Sequence, residues 1–254
     1  ETMIKPTSEL NDRIQNGGAV LIVEITPPTG ANPSAVQETA RRYAGKVHAV
    51  GINDNRDRVG MSAIAAASLV AAEGVEPIMH VNSRDRNRIA LVSEALGAKA
   101  LGLRNILCTS GTHQTLGAFR AAKNVFDLDA VQMLQAFSSL AVDCSLVGHG
   151  GIPGADGFCL GGVASQDADP LELQVMRLEK KVEAGARFLI TQPVYDFERF
   201  HAWWGEVTRR GLQEKVTLVA SIEPLMGENL ERIQAQKRPM PRVPASTLDR
   251  FAGA

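Results

Sequence analysis

Seven short apolar runs punctuate the chain: Ala19–Ile25, Val47–Ile52, Pro77–Val81, Ile106–Cys108, Phe158–Ala164, Phe188–Thr191 and Val216–Ile222. They are continuous rather than alternating, as expected of parallel strands covered on both faces. Helical patterns separate most of them, at Pro33–Tyr43, Met61–Glu73, Arg86–Leu96, Leu128–Leu140, Leu171–Ala184 and Glu198–Arg210, with a weaker one at Leu225–Gln236. Glycine stands just past several of these helices, where a left-handed residue ends a helix cheaply. Successive strands begin roughly 28 residues apart, the length of a strand, a crossover helix and a return. The segment Asp143–Asp156 interrupts this rhythm as a glycine-rich loop or short hairpin.

This repetition predicts a single α/β domain over residues 1–254, a (β/α)8 TIM barrel. An open doubly wound sheet is the rival, but Pro27-Pro28-Thr29-Gly30 follows the first strand, with no GxGxxG fingerprint. No apolar run after Ile222 reads as an eighth core strand, and Ala245–Phe251 reads as one more helix. An unclosed barrel would leave two strand edges bare, so the expectation is that the eighth strand lies beyond the sequence in hand.

Charge narrows the class. Lys and Arg total 27 against 28 Asp and Glu, so no general field draws in nucleic acid or an anionic membrane. Hydrophobic residues make up 44% of the chain, enough for a large core, yet no run approaches the roughly 18 to 20 apolar residues of a membrane span. The opening residues form no secretion signal. Cys108, Cys144 and Cys159 lie far apart and form neither a CxxC pair nor an even-numbered framework, which fits a reducing cytoplasm. No HExxH or comparable spacing proposes a metal site.

In a barrel the chemistry collects where strands feed the βα loops. Glu24 lies between Val23 and Ile25, a position that favours a buried general acid with a raised pKa over a solvent-facing edge residue. The second strand ends in Asn53-Asp54-Asn55-Arg56, and the third in His80, Asn82 and the basic loop Arg84-Asp85-Arg86-Asn87-Arg88. That loop either grips phosphate at a helix start or pairs with itself. After the fourth strand come Gly111-Thr112-His113-Gln114, rich in hydrogen-bonding groups but without a carboxylate. Gly161 and Gly162 either admit a flat ligand or relieve crowding inside the barrel. Gln192 offers both donor and acceptor to an amide-like ring edge. Glu223 is a second candidate carboxylate, equally a structural one. Such a spread of single polar groups suits a planar heterocycle.

These residues stand in ordered motifs that resemble the methylenetetrahydrofolate reductase family, above all its branch from acetogenic and corrinoid one-carbon pathways. The resemblance rests on Val23-Glu24-Ile25-Thr26-Pro27-Pro28, Asn53-Asp54-Asn55-Arg56, and Arg84-Asp85-Arg86-Asn87-Arg88-Ile89-Ala90-Leu91. Gly111-Thr112-His113-Gln114, Glu179-Lys180-Lys181-Val182-Glu183-Ala184-Gly185 and Thr191-Gln192-Pro193-Val194-Tyr195-Asp196 extend it over nearly the whole chain.

The resemblance implies a barrel that binds FAD, takes electrons from NADH or NADPH and reduces 5,10-methylenetetrahydrofolate to 5-methyltetrahydrofolate. By that analogy Glu24 is the catalytic acid and Gln192 contacts the pterin. Thr112 and Glu223 complete the substrate side. Asn53, His80, Asn82, Arg84, Gly111, His113, Gly162 and Lys181 fall on the cofactor side, with Lys181 near its phosphates. A homo-oligomer is expected, and a corrinoid or iron-sulfur protein is the candidate partner; no nucleic acid or membrane is. One position departs from the pattern. Thr112 stands where the family commonly has an aspartate associated with pterin binding, and a hydroxyl brings no charge to a developing cation.

Overall fold

The computed structural model describes residues 8–56, 58–117, 119–145, 151–225 and 243–249. Its centre is a seven-stranded sheet in the order β1 to β7, every neighbouring pair parallel. The strands are β1 (Ile22–Ile25), β2 (Ala49–Ile52), β3 (Pro77–Asn82), β4 (Asn105–Thr109), β5 (Cys159–Ala164), β6 (Phe188–Pro193) and β7 (Thr217–Ser221). All seven fall on the predicted runs. Six crossover helices follow: α2 (Ser34–Tyr43), α3 (Ala63–Ala72), α4 (Arg88–Ala100), α5 (Ala130–Asp143), α6 (Leu171–Glu183) and α7 (Phe197–Arg209). A short α8 (Ala245–Asp249) lies within the last predicted helix. The fold is therefore α/β, an open parallel half-barrel, consistent with a (β/α)8 barrel that has no eighth strand among the described residues. The weak helical pattern at Leu225–Gln236 and part of the Asp143–Asp156 insertion lie outside the described residues.

Side chains alternate between two layers because successive strand residues point to opposite faces. Val50, Ile52, Met79, Ile106, Cys108, Leu160 and Leu189 face outward into the large core shared with the helices. A smaller inner core holds Ala49, Ile78, Leu107, Cys159 and Phe188. Burial of Phe188 alone is worth about 2–3 kcal/mol on an area basis.

The paired glycines now separate. A Cβ on Gly161 would stand 2.3 Å from the Phe188 ring, so Gly161 makes room for that ring inside the barrel. Gly162 turns outward, where its Cβ would meet Leu189 and the α5 residue Leu134. Gly162 thus sits against the helix layer and not in the barrel interior.

A helix that the apolar pattern did not predict, α1 (Glu9–Gln15), closes the end of the barrel at the strand amino termini. Only Leu10 and Ile14 are apolar among its seven residues, too few for a periodicity. Both pack on the inner core. The Ser8 hydroxyl donates to Asn105 Oδ1 at 2.8 Å, the Leu10 amide to Glu76 at 3.1 Å, and Asn105 Nδ2 to Glu76 Oε1 at 2.7 Å. Ser8 also caps α1 through the Asn11 amide. These bonds tie the plug to β4 and to the residue that enters β3.

Candidate functional site

With that end plugged, the opposite mouth gathers most of the polar residues singled out above. Glu24 rides on β1, which pairs with β2 alone among the described residues. Its side chain is 40% exposed. The expected burial is corrected here: β1 is an edge strand, and no described neighbour covers it on its other side. Glu24 Oε1 accepts from Asn53 Nδ2 and from Arg56 Nη1, each at 3.0 Å. Asn53 Nδ2 also reaches Thr26 Oγ1 at 3.1 Å. The amide that the family likeness assigned to a flavin contact thus holds the Glu24 carboxylate.

The next three loops are knitted together by charge. Asp54, 1% exposed in its side chain, accepts from Arg86, the Asn82 amide and Asn82 Nδ2 at 2.6, 3.0 and 2.7 Å. Asn82 Oδ1 accepts in turn from the Asp85 amide at 3.2 Å. Arg84, 4% exposed, pairs with Asp85 and donates to the Asn55 and Thr112 carbonyls at 2.8 and 3.1 Å. Burial works to raise the Asp85 carboxyl, but its bonds to Arg84 and Asn82 and the charges of Arg84 and Arg86 together hold it below its ordinary value. Arg84 therefore bolts the loops after β2, β3 and β4 to one another, and the cations of the basic loop are paired within the protein, Arg84 with Asp85, Arg86 with Asp54 and Arg88 with Asp127.

Gly111 has a φ of 80°, and its Cβ would crowd Arg84 and Asn82 at 3.1 and 3.3 Å, so glycine is needed for both conformation and space. His113 is exposed, bridges Thr115 and Asn124 and stacks on Phe126 with ring centroids 6.3 Å apart. Lys181 lies behind β5, where Nζ donates to the Val163 carbonyl at 2.5 Å. Burial, with help from nearby Arg177, pushes its ammonium down to about 8.

Several buried side-chain atoms have no hydrogen-bond partner among the described residues, and at the strand carboxyl ends they include His80 Nε2, Ser83 Oγ and Gln192 Oε1. The His80 ring leans over Gly51, whose Cβ would stand 3.0 Å from Nε2 and 3.9 Å from the Glu24 Cα. His80 is thus a near neighbour of Glu24 inside the barrel. Burial lowers its pKa, although Glu24 and Asp54 pull the other way. Gln192 is held by its backbone to a residue absent from the sequence-based list. Gln166, fully buried, donates from Nε2 to the Gln192 carbonyl at 2.9 Å and accepts from the Gln192 amide at 3.1 Å. Only a polar residue just past a strand end marked it, a signal shared with its neighbours. Glu223 accepts from the Tyr195 hydroxyl at 3.3 Å on the far side of the mouth. Among the described residues, no cluster of His, Cys, Asp and Glu could hold a metal ion.

An open parallel half-barrel with a polar mouth at its strand carboxyl ends is of the α/β class, and solved structures share its fold. A protein from Clostridium thermocellum, described as binding two copies of 5-methyl-5,6,7,8-tetrahydrofolic acid, superposes with a TM-score of 0.66 at 16% identity, covering 97% of this chain and 80% of that one. A 2,3-dimethylmalate lyase follows at 0.55 and 10%, covering 99% and 92%. These likenesses speak for the fold. Sequence speaks for the family: residues 9–254 match the methylenetetrahydrofolate reductase model, and the chain belongs to that family. A probable methylenetetrahydrofolate reductase (NADPH) of Caenorhabditis elegans is 25% identical over 223 residues, 87% of this chain. The chain spans only 28% of that relative's length. Among the described residues no helix is long and apolar enough to cross a membrane.

Proposed function

We propose that this protein interconverts 5,10-methylenetetrahydrofolate and 5-methyltetrahydrofolate, with FAD as hydride carrier and NADH or NADPH as electron donor. The observation that supports this best is the unpartnered Gln192 Oε1. A pterin offers an amino group and a ring N–H along one edge, and an amide oxygen accepts from both. His80 Nε2, equally unpartnered, suits a polar atom of a second flat ring. The ring end of FAD therefore fits the residues present. For its pyrophosphate the fit is poorer, because Arg84, Arg86 and Lys181 all have protein partners. Bound FAD would supply hydride chemistry. The chain's own residues hold, orient and protonate.

Glu24 is the proton source in this reading. Both of its described donors sit on Oε1, so the proton would be carried on Oε2 toward the mouth. Asn53 and Arg56 fix the carboxylate's plane. Gln192 would set the pterin's register, with Thr112 and Glu223 further out.

A second reading is favoured by Thr112. In it the chain is a folate-binding subunit of the acetogen and corrinoid branch, with little turnover of its own beside a corrinoid or iron-sulfur partner. The Thr112 carbonyl is engaged by Arg84 and its side chain carries no charge, so the loop brings no anion to a developing cation.

The absorbance spectrum of the purified full chain, with NAD(P)H oxidation by methylenetetrahydrofolate, tests both. A yellow protein that turns over supports the first reading. A colourless protein that turns over removes FAD but keeps the reductase. Tight folate binding without turnover selects the subunit.

A further inference from the structure

The β5–β6 ladder ends at the pair Ala164 and Thr191, one residue short of Gln192. On the other side, β6 slips against β7: Ile190 faces Val219, yet the next pair is Pro193 with Ser221. The Ser221 amide bonds instead to Thr191 Oγ1 at 2.9 Å. Gln192 therefore sits where regular pairing fails on both sides, and Pro193 after it has no amide to donate. Main-chain groups in such a place must find other partners.

Gln166 fills that need. Its side-chain amide pairs with the Gln192 main chain in both directions, at 2.9 and 3.1 Å, like one more rung of the sheet. Its second amide proton reaches Asp167 Oδ2 at 3.4 Å. A fully buried side chain with donor and acceptor both used has one orientation open to it. The Gln192 main chain is held by it, and with it the point from which the side chain that carries the unpartnered Oε1 departs.

We infer that Gln166 is a positioning residue that fixes Gln192 for folate recognition, an inference that rests on the assignment of Gln192 to the pterin. It acts through Gln192 and touches no ligand itself. Replacing it by Met keeps the length and removes the rung. Replacing it by Glu keeps the acceptor for the Gln192 amide and loses the donor to the carbonyl.

The test is a double-mutant cycle on the full chain, reading the dissociation constant for 5-methyltetrahydrofolate by calorimetry, with thermal melts as a check on folding. Gln166→Met should weaken binding about tenfold or more, and Gln166→Glu by less. In a Gln192→Ala background the same Gln166→Met change should cost almost nothing further, because the two residues act as one unit. A loss that persists undiminished in that background overturns the inference while leaving the role of Gln192 intact. If Gln192→Ala binds as tightly as the parent, the pterin assignment falls and the inference with it. Should Gln166→Met fail to fold, the cycle is run with Gln166→Glu under the same criterion.

Discussion

The two flanks of the mouth solve the same problem with different chemistry. Around β2, β3 and β4, carboxylates and guanidiniums meet in pairs, Asp54 with Arg86 and Asp85 with Arg84, and amides and carbonyls take up what is left. Around β5 and β6, the anchor is an uncharged amide, Gln166 against the Gln192 peptide. The charged side chains of the first flank spend their hydrogen-bonding capacity on their neighbours, and the atoms left over there, His80 Nε2 and Ser83 Oγ, are neutral ones. The neutral flank leaves Gln192 Oε1 over. Glu24 stands at the margin of the charged flank, half-exposed, with Oε1 held by Asn53 and Arg56. Charge density in a sequence is thus a poor guide to where charge is left free, because opposite charges close together consume each other.

The largest effect should come from breaking the charged flank. Asp54→Ala strands Arg86 and the Asn82 amide, and removing one partner of a buried pair costs about 3 kcal/mol or more. Urea denaturation should register that loss, with ligand binding falling only as the fold fails. Next is Glu24→Gln, which keeps shape and the Asn53 neighbour but removes the proton. Turnover should drop about 100-fold, or about 2.7 kcal/mol in activation, with an unchanged melting curve. Near-normal turnover would remove Glu24 from the chemistry.

A smaller change is expected from Thr112→Asp. The Thr112 carbonyl already holds Arg84, whose guanidinium is paired with Asp85, so a new carboxylate finds no waiting partner. Turnover should stay within about threefold of the parent at equal flavin occupancy. A tenfold gain would mean that the charged flank had kept a vacancy for it.

The smallest effect is in pH. His80 is held neutral by burial, with its folded pKa below the ordinary 6.5. The unfolded chain then binds the proton more readily, so stability is complete above about 6.5 and declines as pH falls from there toward the folded value. His80→Phe should flatten that part of the pH–stability profile without altering the plateau at neutral pH. An unchanged slope would show that His80 is not the titrating group.

How far the sequence revealed all this depends on the kind of signal. Strands β1 to β7 were legible because continuous apolar runs have few other uses, and glycine marked the ends of α3, α6 and α7, whereas α4 runs through Gly97, read as its stop, to Ala100. The plug α1 was not, since Leu10 and Ile14 alone give no period and its bonds to Glu76 and Asn105 are long-range. Glu24 was placed correctly on its strand and wrongly in its burial, because apolar neighbours along a strand do not say whether another strand lies beside it. Arg84 was noticed as a cation beside Asp85, whereas its other two partners, Asn55 and Thr112, come from loops that only the fold brings together. Gln166 escaped notice for the same reason. A fully buried amide reads like any polar loop residue until the peptide it pairs with is in view.

β1 lends itself to one more conclusion. Among the described residues the strand that carries Glu24 is joined to the sheet by a single ladder, as is β7 at the other end of the order, whereas β2 to β6 each have two. Local opening is governed by how many such links must break at once. In amide hydrogen–deuterium exchange, protection should therefore rise from β1 toward the middle of the sheet and fall again toward β7. The proposed proton donor would then sit on one of the least protected strands of the sheet, while the residues that brace the other loops sit on the most protected. A ligand that spans Glu24 and Gln192 would register first as slowed exchange in β1.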